Sequence, residues 1–279
     1  MVFSFKRKKK PAADLNSFDI PSFSSSIITL LGKLRNPDIA IAELTTELEL
    51  DPGLYIKVLK TVNAASFGLS RKVSNIQHAI NLLGRSRLEA LVLSVAVKNN
   101  LTEQHKSGWL NMTDFWKTAS LRASVAKTLA LELHPHQLQS DVFTIGLLQD
   151  MAIPLLASRH GERYQSLYQC WQKEEDINLA EQENNLFGID HMSLGARMAE
   201  AWEFPPPLIS AIGDHHDMDN QELPLAVKIA AMITGDPRQH NSTHLAKRAA
   251  DTFGLEQKSL SHFIEHAFTQ STELSAALN

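Results

Sequence analysis

Thiols are almost absent from this chain: a single cysteine, Cys170, among 279 residues excludes an intrachain disulfide and any multi-thiolate metal site. Turn-formers are scarce too. The 12 glycines and 11 prolines make up about 8% of the residues against roughly 12% in an average protein, which favours long helices over short strands joined by tight turns. No long hydrophobic run occurs. The most apolar stretches, such as Leu91–Val97, fall far short of the ~20 residues that cross a bilayer, so no membrane insertion is expected. Positive charge is not in excess either. The 27 Lys and Arg against 31 Asp and Glu leave a net charge of −4, and no global field draws the chain to nucleic acid or lipid. What is abundant is apolar side chain, 43% of the residues, enough for a sizeable core in one large domain or two small ones.

The N-terminus carries the one local charge run, Lys6-Arg7-Lys8-Lys9-Lys10. A secretory signal would continue into an apolar stretch, which Asp14, Asn16 and Asp19 interrupt, so the expectation is a cytoplasmic protein with a solvated basic tail over residues 1–17.

Helical periodicity follows at once. Phe23, Ile27, Leu30, Leu31 and Leu34 form an apolar stripe that ends at Asn36-Pro37-Asp38,. Ile41, Leu44 and Leu48 mark a second helix. A third opens at Asp51-Pro52, because the Asp51 carboxylate suits the N-cap and Pro52, with no amide hydrogen to waste, suits the first helical position. Leu54, Val58, Leu59 and Val62 line its face. Ile76, Ala79, Ile80 and Leu83 repeat the pattern before Gly84, a helix stop, and Leu88–Val97 reads as a buried helix. Beyond Trp109 the pattern predicts helices over roughly 113–133, 140–157, 161–182, 190–203, 206–216, 222–235, 243–254 and 258–269,. No alternating stretch supports a strand, so the fold class expected is all-α, in two helical lobes with an apolar groove between them.

Twelve histidines prompt a search for a metal site. Gly146-Leu147-Leu148-Gln149-Asp150 is apolar nearly all round, so Asp150 is expected inside, where its carboxylate needs a metal ion or a donor such as Arg, His or backbone amide. His191 leads a stripe with Leu194, Gly195, Met198 and Trp202 and so faces the core, after Asp190 as helix cap. Leu208, Ile212 and His215 share another face, and His216 can reach the same point as His215 only near the helix end. An Asp and two or three inward His from separate helices can bind a divalent ion, or can simply bond to one another. The other features read as structural: Trp109, Trp116, Trp171 and Trp202 as core, Cys170 as a buried thiol, and Glu174-Glu175-Asp176 with Glu181 and Glu183 as a solvated acidic face.

In their order and spacing these motifs resemble the HDOD proteins, the bacterial HD-related output domains, from about Ser22 to His216. The resemblance rests on Asp51-Pro52-Gly53-Leu54, Val58-Leu59 and Asn63-Ala64-Ala65, on the apolar helix Ile76 to Gly84, on Gly146 to Asp150, and on Asp190-His191 through Gly195, Trp202, Pro205 and His215-His216. It implies a short-helix lobe over 18–105 packed on an HD-like lobe over 106–217, with 218–279 as a C-terminal helical extension. Asp51, Pro52, Leu54, Asn63, Gly84, Gly195 and Trp202 would carry the structural motif.

Departures from the catalytic HD pattern follow from the same resemblance. Thr118 stands where the early His belongs, Gln149 where the paired His belongs, and Ala231 where the late Asp belongs. Asp150, His191, His215 and His216 remain. The resemblance therefore implies a non-catalytic interaction module in signal transduction, with a separate protein as partner and no cofactor. Two alternatives stand beside it. One is a metal-dependent phosphohydrolase with an altered site, His134, His136 or His160 supplying missing ligands. The other is nucleic-acid binding through a helix-turn-helix at Ala64–Ser70 with Arg71, Lys72, Arg85, Arg87 and the Lys6–Lys10 arm, which the negative net charge opposes.

Overall fold

Asp51 caps a helix as the sequence predicts, in a computed structural model that describes residues 18–64, 72–133, 141–174, 177–234 and 241–278. Helix α1 (Ser25–Arg35) begins at Ser24, whose Oγ accepts from the Ile27 amide, and it buries Ile27, Leu30, Leu31 and Leu34. Helix α2 (Ile41–Glu49) buries Leu44 and Leu48. Helix α3 (Pro52–Val62) opens with Asp51 Oδ1 accepting from the Leu54 amide at 2.9 Å. Asn63, at the end of α3, is tied to Val73: its side chain accepts from the Val73 amide at 2.7 Å and donates to the Val73 carbonyl at 2.8 Å. Helix α4 (Ile76–Leu83) stops at Gly84, whose φ of 79° is a conformation that favours glycine,. Helix α5 (Arg85–Gln104) is buried without interruption from Leu91 to Lys98.

The remaining helices are α6 (Met112–Leu133), α7 (Val142–Leu148), α8 (Ile153–Lys173), α9 (Leu179–Phe187), α10 (His191–Ala201), α11 (Pro206–Asp214), α12 (Leu225–Ala231), α13 (Ser242–Phe253) and α14 (Gln257–Leu278). The protein is all-α; no strand occurs among the described residues. Two expected helices are each divided. The stretch 140–157 turns at 149–152, and Pro154 sits in the first turn of α8, where a proline fits, rather than in a helix interior, where it would clash,. The stretch 161–182 breaks after Lys173 and restarts at Asn178, whose Oδ1 accepts from the Glu181 amide. Helix α8 is itself bent at Gly161 (φ 52°, ψ −129°). The last helix runs to Leu278 rather than 269.

Helix α6 is the central element, with α14, α7 and α12 packed along it. Helix α14 also lies on α3, and Lys98 of α5 donates from Nζ to the Leu278 carbonyl at 2.7 Å, so the C-terminal residues tie both lobes together. Two glycines set the closest approaches. A Cβ on Gly146 would lie 2.9 Å from the Arg122 carbonyl oxygen, so α7 meets α6 backbone to backbone. A Cβ on Gly195 would meet Ile212 Cγ2 at 3.1 Å, which draws α10 onto α11.

At the lobe junction Trp202 donates from Nε1 to the Pro21 carbonyl at 2.8 Å and stacks on Phe23 at 4.9 Å between ring centroids. Ile20, Phe23, Ile28, Leu31 and Trp202 line a groove of about 330 Å³ there. The stretch Val142–Lys173 is long and apolar enough to cross a membrane by composition alone, but 83% of its most apolar window is buried inside the protein. Cys170 is exposed, not buried: Tyr164, Leu167, Tyr168 and Trp171 make the inward face of α8, and Cys170 falls outside that stripe. The Lys6–Lys10 run, Ala65 to Arg71, His134, His136, Glu175 and Asp176 lie outside the described residues.

Candidate functional site

Because Gly146 lets α7 touch α6, the turn after α7 brings Asp150 against Arg122 in the middle of α6. Arg122 Nη1 lies 2.5 Å from Asp150 Oδ2, and the same guanidinium donates from Nε (3.0 Å) and Nη2 (2.6 Å) to the Ile233 carbonyl just beyond α12. From the other side, the close packing of α10 on α11 brings in two imidazoles. His215 Nε2 lies 3.2 Å and His191 Nε2 3.6 Å from Asp150 Oδ1, and the two Nε2 atoms are 3.3 Å apart. Oδ1 itself makes no hydrogen bond of good geometry.

Each imidazole is fixed by its far nitrogen. His215 Nδ1 lies 2.8 Å from the Ile212 carbonyl, so that nitrogen is the donor and Nε2 is the one that faces Asp150 and His191. His191 Nδ1 lies 2.6 Å from Glu183 Oε2, which also accepts from the His191 amide at 2.7 Å. Tyr164 completes the set by donating its hydroxyl to Glu183 Oε1. Asp190 caps α10, accepting from the Ser193 amide at 2.7 Å. His216 stands beside the pair, its ring 4.2 Å from His215 and 5.3 Å from His191 between centroids.

Burial opposes every charge here, so the charges present are held by partners. For Asp150, Arg122 first and then the two histidines outweigh burial and keep the carboxyl far below the usual carboxylate range. Burial would likewise lower His191, but the Glu183 carboxylate, followed by Asp150 and Asp190, raises it to about 9. His216, with no carboxylate so close, is pushed well below the ordinary histidine value by burial and by the neighbouring imidazoles. Tyr164 is pushed well above its ordinary value by burial and by Glu183.

Asp150, His191, His215 and His216 each place one ligand atom within 4.8 Å of the others, which is the donor set of a divalent-ion site. The surroundings do not fit such an ion as the chain stands. Asp150 Oδ2 is already held by a cation, Arg122, whose guanidinium supplies the charge that a dication would otherwise bring to this buried carboxylate.

The HDOD domain model matches residues 20–218. This chain belongs to the HDOD family. An uncharacterised Treponema pallidum protein is 25% identical over 203 residues, 72% of this chain but only 38% of that protein's length. A Shewanella amazonensis crystal structure provisionally named a phosphohydrolase superposes with a TM-score of 0.72 at 23% identity, covering 93% of this chain and 95% of that one. A Marinobacter aquaeolei structure provisionally named a signal transduction protein gives 0.63 at 17% identity, covering 93% and 60%. At these identities the two structures share the fold.

Against the HDOD pattern, Asp150, His191, His215 and His216 converge. Thr118 lies buried on α6 with its hydroxyl donating to the Asp114 carbonyl at 3.2 Å, one turn before Arg122. Gln149 is buried with neither amide atom hydrogen-bonded, and Ala231 ends α12. His160 stacks on Phe187 at 4.1 Å and is not among the four converging residues. Glu183 corrects the expected acidic surface: Glu181 is exposed, but Glu183 is fully buried. Its place in the stripe Leu179, Ala180, Glu183, Phe187 is the signal that could have found it. Arg122 was missed as well, and the signal was an arginine amid the small and apolar residues of Ala119–Ala126.

Proposed function

We propose that this chain is a bacterial signal-transduction output module that acts in the cytoplasm through protein–protein contacts, needs no cofactor and carries out no reaction of its own. The observation that supports this reading is the Arg122–Asp150 pair. The carboxylate that a hydrolase would spend on a metal ion is neutralised within the chain, inside a network whose side chains expose 4% or less of their area. Of the four ligand-type side chains only His216 is partly exposed, so a phosphoester would meet one imidazole there and no carboxylate,. The groove at the lobe junction, with Ile28 59% exposed at its edge, offers apolar area for a protein contact. Nucleic acid is the weaker partner, since Arg85 spends its guanidinium on the Asn36 and Ile39 carbonyls.

Convergence of four ligand-type side chains favours one competing reading, a metal-dependent phosphohydrolase. Metal analysis of untagged protein, as purified and after incubation with Mn²⁺, Fe²⁺, Zn²⁺ and Mg²⁺, separates the two when run beside hydrolysis of bis(p-nitrophenyl) phosphate. The module predicts no stoichiometric ion and no turnover. An ion and an activity lost together in Asp150→Ala or His191→Ala would install the hydrolase instead.

A further inference from the structure

We propose that Arg122 occupies the electrostatic place of a divalent cation, and that removing its side chain is enough to turn this network into a metal-binding site. The inference rests on the non-catalytic reading above and deepens it.

Four observations converge on it. Arg122 is 2% exposed, and its charge is applied to Asp150 Oδ2 at 2.5 Å, within contact range of a buried carboxylate. The other carboxylate oxygen, Oδ1, is buried without a hydrogen bond and faces the Nε2 atoms of His191 and His215. Both imidazoles are held from behind at Nδ1, by Glu183 and by the Ile212 carbonyl. Such outer contacts orient a histidine so that Nε2 is the ligating nitrogen. His216 adds a fourth donor within 4.8 Å of the rest. The ligand atoms are thus already assembled and oriented, and the one group that conflicts with a dication is a guanidinium delivered from α6. Its Nε and Nη2 both donate to the Ile233 carbonyl, so the guanidinium is anchored on two sides, by Ile233 and by Asp150.

Electrostatics gives the direction of the effect. A buried carboxylate without a counter-charge is costly. With Arg122 replaced by an apolar side chain of similar length, Asp150 can recover its balance by taking up a proton or a cation. Two or three imidazole nitrogens around it favour a borderline divalent ion.

The test is Arg122→Met in the full chain, with Mn²⁺ and Co²⁺ as probes. Bound metal is measured after gel filtration, and the visible absorption of Co²⁺ reports nitrogen and oxygen ligands. One ion per chain at micromolar metal is expected in Arg122→Met, and none in the wild type. The ion should disappear when Asp150→Asn is added to Arg122→Met. A folded Arg122→Met protein that binds no ion overturns the proposal, as does an ion that survives Asp150→Asn. Where Arg122→Met fails to fold alone, refolding it with Mn²⁺ or Co²⁺ decides the matter: recovered helical circular dichroism supports the proposal, and none overturns it. Stoichiometric metal in the wild type would sink the non-catalytic reading along with this one, whereas a metal-free Arg122→Met sinks this one alone.

Discussion

With its Nδ1 2.6 Å from the Glu183 carboxylate, His191 holds a proton up to about pH 9 although burial alone would remove it. The folded value exceeds the ordinary 6.5, so the contribution to stability is fully present below pH 6.5 and is lost as pH rises through about 9,. His216 has the opposite displacement, and its neutral ring withdraws stability as pH falls below 6.5, where the unfolded chain takes up a proton and the folded one does not,. Glu183→Gln removes the carboxylate that raises His191. Titrating the imidazole C–H resonances should show one histidine near pH 9 in the wild type and none there in Glu183→Gln. The alkaline slope in stability should vanish with it. Lys98 and Lys127, which burial lowers to about 8 and about 7, add an opposite slope common to both proteins, and it cancels in the comparison. A His191 resonance that titrates near 6.5 in the wild type would contradict the assignment. At this scale the sequence disclosed the members whose type is conspicuous, Asp150 and the three histidines. It hid Glu183 and Arg122, because a charged residue on a helix reads as surface until the packing of that face is known.

Helix by helix, legibility followed the apolar stripe more than the cap: α2 was found without a side-chain cap, and α9 was missed despite Asn178. Asp51, which accepts from the Leu54 amide, was read as a cap from residue type and position alone, whereas Ser24 and Asn75, which cap α1 and α4 in the same way, were passed over and those helices were found by their apolar stripes. The α7–α8 turn carried no comparable marker before Pro154, and hydrophobicity runs straight through Met151 and Ala152, so periodicity joined two helices that tertiary packing separates. Gly146 is the device that makes this turn functional. Its missing Cβ would strike the Arg122 carbonyl and the Ala123 Cα, at 2.9 and 3.0 Å, backbone atoms that cannot rotate away. Gly146→Ala should therefore push α7 off α6 and cost about 1–3 kcal/mol, measured by urea unfolding. Gly195→Ala, facing a side-chain atom, Ile212 Cγ2, at 3.1 Å rather than backbone at 2.9 Å, should cost less. Equal losses would mean that the α6–α7 contact is not the tighter one.

Taken whole, the molecule gathers its polar centre from distant parts of the chain: α6, the turn after α7, α8, α9, α10, the residues just past α11 and Ile233 beyond α12. The link from Arg122 to Ile233 alone spans 111 positions. The all-α character was visible in sequence because each helix has its own stripe. The role of α14, laid on α6 and also on α3, was not, since a stripe names a buried face without naming its partner. This wiring has a kinetic meaning. Helices of this length form within about a microsecond, but the buried carboxylates, guanidinium and imidazoles can shed their water only once all seven segments have docked. Dehydration of the network therefore belongs after the rate-limiting barrier of folding. Asp150→Asn should then speed unfolding while leaving refolding almost unchanged, a φ-value near zero in stopped-flow chevron plots. A matching drop in the refolding rate would place the charged centre in the nucleus instead. If it does form last, the chain passes through a state whose helices are paired while its interior is still wet.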